Sequence, residues 1–205
     1  MIMRRTVLGL VAAASLMSIP ACVNLAPQAD NTRWFMLDQY AVTSAYEGEF
    51  DTSSQLHVSR PHIPEYLNSQ RIFYRTAGGS PKTTEQERWG EPFNEGFART
   101  LALRLSARTG VGNVSYYPIP RPSEPGVRVQ VQVFQFEAIK GTGVVLDMSW
   151  RLDTAEATGA TQRFRRSQAV NRFDSVESMV RAMSELLDEA VAAIAEGVSD
   201  ATAQN

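Results

Sequence analysis

The tract from residue 127 to 152 constrains the fold more than any other. Val127, Val129, Val131 and Val133 alternate with Arg128, Gln130, Gln132 and Phe134. After Lys140-Gly141-Thr142-Gly143, a second arm sets Val144, Leu146, Met148, Trp150 and Leu152 against Asp147, Ser149 and Arg151. Strand side chains point alternately to two faces, so this period of two predicts a hairpin with one buried face. A buried face needs a cover, and two helical segments supply one. Phe93, Phe97, Leu101 and Leu105 fall four apart and form an apolar stripe, with Arg99, Arg104 and Arg108 expected in solvent. Pro92 suits the first turn of that helix and Gly110 its left-handed cap. Asp174 and Glu177 read as the capping box of a final helix. Its buried side is marked by Val176, Val180, Met183, Leu187, Val191 and Ile194 and widened by Met179, Leu186 and Ala190.

Shorter strands are predicted at residues 33–37, 55–59, 70–76, 113–117 and 161–170, from β-branched and aromatic content bounded by turn residues. Pro61 and Pro64 are expected to stop regular pairing. Gly78, Gly79 and Pro81 mark a turn. Thr84 and Glu87 fit a second capping box, which predicts a short helical turn carrying Trp89. The sum is α/β (α+β): a two-layer sandwich in which a mixed, mostly antiparallel sheet of five to seven strands carries two amphipathic helices on one face. The domain spans residues 33–198, and residues 199–205 are expected to be a disordered polar tail.

Arg4 and Arg5 precede an apolar run over residues 6–17 that is too short to cross a bilayer. Ile19-Pro20-Ala21-Cys22 resembles a lipobox, although Pro20 stands where that motif rarely has proline. Cys22 is the only cysteine, so no internal disulfide is available to it. Residues 1–21 therefore read as a lipoprotein signal peptide, and residues 22–32 as a lipidated cysteine and tether. The alternative is a plain secreted chain with a free thiol. A diacylglyceryl cysteine with an acylated amine, carrying fatty chains such as palmitate, supplies the two or more chains that stable anchoring requires. Val23 rather than Asp follows the cysteine, as in lipoproteins sorted to the outer membrane. Fully extended, the tether from Val23 to Thr32 reaches at most about 35 Å, which keeps the domain close to its membrane. Losing Arg4 and Arg5, with no acid lost, makes the mature chain more acidic than the formal −2 of the precursor. Lys82 and Lys140 are the only lysines, and no basic run argues for nucleic acid.

Two tracts carry a resemblance. Ile63-Pro64-Glu65-Tyr66-Leu67-Asn68-Ser69-Gln70-Arg71-Ile72 is similar to one segment of the ABC-type transport auxiliary lipoproteins. Arg88-Trp89-Gly90-Glu91-Pro92-Phe93, followed by residues 98–102, resembles another, with Gly90 in place of the usual Ala and Phe93 in place of Leu. The resemblance implies a non-enzymatic accessory role at the periplasmic face of the outer membrane. Its partner there is a membrane-anchored protein of an Mce-type (mammalian-cell-entry) system, linked to an ABC permease and ATPase that move lipids between membranes. The other reading is a freestanding envelope lipoprotein that binds a lipid, peptide or cell-wall fragment by itself.

Tyr66 and Trp89 are the candidate partner contacts, and each also has a plain packing alternative. Arg88 and Glu91 are placed to form a local ion pair. Arg163, Arg165 and Arg166 suit either an anionic headgroup or the defence of an edge strand by charge. His57 and His62 lie five apart, which is not a helical ligand pair, and no metal or other cofactor is expected. No nucleophile elbow, triad or P-loop is present in the sequence. Oligomeric state and cargo are not specified by these patterns.

Overall fold

The hairpin forms as its alternation predicts and is the spine of the sheet. In the computed structural model, residues 29–38, 47–123, 126–170 and 175–202 are described. Cys22, the expected signal peptide over residues 1–21, residues 23–28 of the expected tether and Asp174 lie outside them. In chain order the elements are β1 (Arg33–Phe35), β2 (Asp51–Val58), β3 (Arg71–Arg75), β4 (Pro81–Trp89), α1 (Phe93–Thr109), β5 (Val111–Tyr116), β6 (Val127–Ile139), β7 (Gly143–Asp153), β8 (Gln162–Gln168) and α2 (Val176–Thr202). All belong to one compact unit, Thr32–Asn205.

β6 pairs antiparallel with β7 along nearly its whole length, from Arg128 against Asp153 to Ile139 against Gly143. Gly143 sits at φ 137°, and a Cβ there would lie 2.0 Å from the Gln168 carbonyl oxygen, so the turn requires glycine. On its other edge β6 is shared. β2 runs parallel to its first residues, with Leu56 opposite Val127. β3 runs parallel to its last, with Tyr74 opposite Ala138. Between them the proline-containing segment stays attached to β6. Ser59 N–H donates to Val129 O at 3.0 Å, His62 N–H to Val131 O at 3.0 Å, and Val133 N–H to His62 O at 2.8 Å. The prolines thus interrupt strand geometry without releasing the chain from the sheet.

The sheet is mixed, with long antiparallel seams (β6–β7, β7–β8) and shorter parallel ones, and the order β1-β4-β3-β6-β2-β5 is completed by β7 and β8. It has eight strands rather than five to seven, and the added one is β4. There the capping-box pattern misleads. Thr84 is buried in the sheet, where its hydroxyl accepts from Ile72 N–H at 3.2 Å and donates to Glu87 O at 2.7 Å. The side chain that would cap a helix instead satisfies backbone groups where the β3–β4 register shifts.

Both helices cover one face: α1 packs over β2 and β5, α2 over β6, β7 and β8, and the two touch each other. Phe93, Phe97, Leu101 and Leu105 are all buried, and Gly110 caps α1 at φ 76°. Arg104 is not in solvent as expected. It is buried between the helices, donating to Ser184 O at 2.6 Å, Ser184 Oγ at 2.5 Å and Leu37 O at 3.2 Å. Its guanidinium is held below its usual pKa, chiefly by burial. Arg99 and Arg108 are also half-buried, tied to Asp38 and Glu91 and to Asp188. α1 is therefore wrapped on more than one side, which its single stripe did not reveal. α2 begins with Ser175 Oγ accepting from Ser178 N–H at 3.3 Å, a cap one residue later than the Asp174 of the sequence reading. It continues to Thr202, a turn past the expected start of the tail.

Candidate functional site

The face of the sheet opposite α1 and α2 is polar, and among the described residues no α-helix covers it. Its character follows from strand parity. Val127, Val129, Val131 and Val133 point to the helices, and a register shift between Val133 and Gln135 lets Phe136 and Ala138 continue inward. The same shift sends Glu137 to the open face, where it is nonetheless only 1% exposed.

Glu137 is buried by the segment that bears Tyr66. Pro64 opens a 3-10 turn, Glu65–Leu67, whose Leu67 is buried and whose Tyr66 stays 38% exposed. The Tyr66 ring lies 4.6 Å from that of Phe73 on β3. Arg75 stacks 5.5 Å from the Phe73 ring and 6.0 Å from Tyr66. From there its Nε donates to Glu137 Oε1 at 2.7 Å, and Gln135 Nε2 donates to the same oxygen at 2.8 Å. Glu137 Oε2 is buried with no hydrogen-bond partner. The Tyr66 hydroxyl is pushed above its usual pKa by burial and then by the Glu137 charge. Glu137 in turn raises Arg75. The result is a half-exposed aromatic packed on Phe73 beside the Arg75–Glu137 ion pair.

Along β7 and β8 the open face is closed by arginines. Arg163 grips the buried Asp147 with two bonds, at 2.9 and 2.8 Å, and stacks 4.5 Å from Phe134. Arg165 approaches the same carboxylate at 3.8 Å, while Arg166 lies over Phe164. Arg128 holds buried Asp153 at 2.9 Å, with Gln130 and Arg151 beside it. Arg163 and Arg165 of the edge strand β8 thus neutralise one buried carboxylate, Asp147, while Arg166 donates to Arg165 O at 3.0 Å. His57 Nδ1 lies 2.8 Å from Ser115 Oγ and is buried, whereas His62 is exposed in the segment along β6. Among the described residues no three His, Cys, Asp or Glu side chains gather as a metal set.

The second matched tract builds structure. Trp89 is 4% exposed and packs 5.1 Å from Phe93, so it is a core residue and presents nothing to a partner. Arg88 Nη1 donates to the carbonyls of Thr84 and Glu87, at 3.3 and 2.9 Å, and Glu91 pairs with Arg99 rather than with Arg88. Gly90 N–H extends the β1 seam to Phe35 O at 2.8 Å. Strand β4 is converted to helix α1 within these few residues. Two further features had no sequence signal. A cleft of about 550 Å³ collects both lysines, Lys82 and Lys140, with Tyr74, Glu85, Met179 and the start of α2. Trp34 is 57% exposed on β1. Both arise from pairing between distant strands.

No helix among the described residues is long and apolar enough to cross a membrane. An uncharacterized protein of known crystal structure superposes with a TM-score of 0.65 at 20% identity, covering 82% of this chain and 99% of its own. Protein XCC0632 from Xanthomonas campestris, of the DUF330 family, superposes at 0.56 with 14% identity, over 69% of this chain and 81% of its own. These likenesses concern the fold. No curated protein matches the chain. The sequence matches the ABC-type transport auxiliary lipoprotein component family over residues 35–195, which takes in both tracts and every element from β2 to β8, and the protein belongs to that family.

Proposed function

We propose that this protein is a non-enzymatic accessory of an Mce-type intermembrane transport system. It is lipidated at Cys22, held at the periplasmic face of the outer membrane, and partnered by a membrane-anchored Mce protein that links it to an ABC permease and ATPase. Family membership supports the coarse role. The observation that carries the finer one is Tyr66, an aromatic half exposed beside the Arg75–Glu137 pair on the sheet face opposite α1 and α2. A half-exposed aromatic packed against its neighbours is a common anchor at an interface centre. The test is a photo-crosslinking amino acid at position 66 in living cells, with a control at exposed Ile119. Capture of an Mce protein from position 66 alone is the expected result. A correctly anchored, well-expressed protein that captures no Mce protein from any surface position overturns the reading.

The lysine cleft favours a second reading, a freestanding module that holds a ligand by itself. Its volume suits a small molecule, and its walls combine Lys82 and Lys140 with Tyr74, Val176 and Met179. Native mass spectrometry of the purified domain separates the two, because a retained small ligand without a protein partner supports the module.

A further inference from the structure

Trp34, Arg88 and Arg71 form a row across three strands. Trp34 is opposite Arg88 in the parallel β1–β4 seam, and Arg88 is opposite Arg71 in the antiparallel β3–β4 seam. Residues in register lie on one face with side chains on the order of 5 Å apart. Their neighbours Phe35, Trp89 and Ile72 are buried, so the row points to the open face. Trp34 is more exposed than any other large apolar residue among those described, and Met36, the next to share its side of the chain, is 36% exposed. Arg71 is exposed and makes no ion pair among the described residues. Arg88 is half-buried and braced by the carbonyls it binds.

This row lies where the chain enters the domain. β1 begins eleven residues after Cys22, so the anchoring leaflet is within reach of Trp34 before it is within reach of the rest of the sheet. An indole beside guanidinium groups matches the membrane–water interface: the ring partitions to the headgroup level, and arginines meet phosphate oxygens. We propose that the Trp34–Arg88–Arg71 row rests on the leaflet that holds the Cys22 anchor, making the domain's contact with its membrane an oriented one. The proposal rests on Cys22 being lipidated.

The full chain, exported and processed in bacteria, is checked by mass for lipid on Cys22. It is then reconstituted into phosphatidylethanolamine–phosphatidylglycerol vesicles with or without brominated acyl chains. Trp89 and Trp150 are 4% and 5% exposed inside the domain, so Trp34 is the tryptophan a bromine can reach. Brominated vesicles are expected to quench part of the emission, and Trp34→Phe to remove that quenching while the buried pair still emits. Arg71→Gln is expected to lessen the quenching in vesicles rich in phosphatidylglycerol. A lipidated chain with equal emission in both vesicles overturns the proposal and leaves the anchor intact. Quenching that survives in Trp34→Phe, or a crosslinker at position 34 that captures protein instead of lipid, also overturns it. A chain without lipid on Cys22 refutes the anchor reading, and the oriented contact with it.

Discussion

Phe136 and Glu137 are adjacent on β6 and almost equally inaccessible, yet the two faces they occupy are stabilised differently. Phe136 meets the rings of Phe93 and Phe97 at 5.9 and 6.1 Å beneath the helices. Its contribution is burial of apolar area and close packing, which demand shape but no partner of a particular charge. Glu137, like Asp147 and Asp153 on the same side, is buried and paired with an arginine. Each of those carboxylates needs its own cation, because an unpaired buried charge is strongly unfavourable. One face therefore supplies stability, while the other fixes the direction of side chains on a surface left open.

That contrast can be broken first on the apolar side. Phe97→Ala is expected to cost about 4 kcal/mol of unfolding free energy, measured by urea titration, because a large side chain with no exposed surface leaves a cavity. On the polar side the expected loss is smaller. Arg75→Ala is expected to cost about 2 kcal/mol, toward the low side because Arg75 is itself a third exposed. The double variant Arg75→Met with Glu137→Leu is expected to lose less than Arg75→Ala alone. If the double variant is the less stable, the face depends on its charges for folding and not only for side-chain direction.

The smallest expected effect is a pH dependence. His57, also on the open face, has its pKa depressed by burial first and then by Arg121 and Arg128. Above the unfolded value of about 6.5 both states are neutral and nothing differs. As pH falls below it, the unfolded chain takes up a proton that the folded chain refuses, so stability declines until the folded pKa is reached. The slope is at most about 1.4 kcal/mol per pH unit and is expected to vanish from melting curves of His57→Gln.

How much of this was legible in the sequence varied with the range of the interaction. The β6–β7 hairpin, the buried stripe of α1, its Gly110 cap and the apolar side of α2 follow from spacing within one segment, and all are present. Thr84 shows the opposite case. Its local pattern names a helix cap, but its hydroxyl meets the backbone of β3 twelve residues earlier. Arg104 likewise looked solvent-facing from its own helix, because only the arrival of α2 and Leu37 encloses it. Of the two candidate contacts, Tyr66 is on the surface and Trp89 in the core, though both stand in matched tracts rich in proline and charge.

By itself the sequence determined seven of the eight strands, the two helices, and the family the chain resembles. Periodicity and turn residues act between near neighbours, and every residue needed for them is in the same stretch of chain. The tertiary structure alone decided which polar residues are buried, that Arg163 and Arg165 of β8 meet the buried Asp147, and that Trp34 rather than Trp89 is exposed. Those outcomes depend on strand register and on what packs across from each residue. Such neighbours come from distant parts of the sequence, and no local pattern records them.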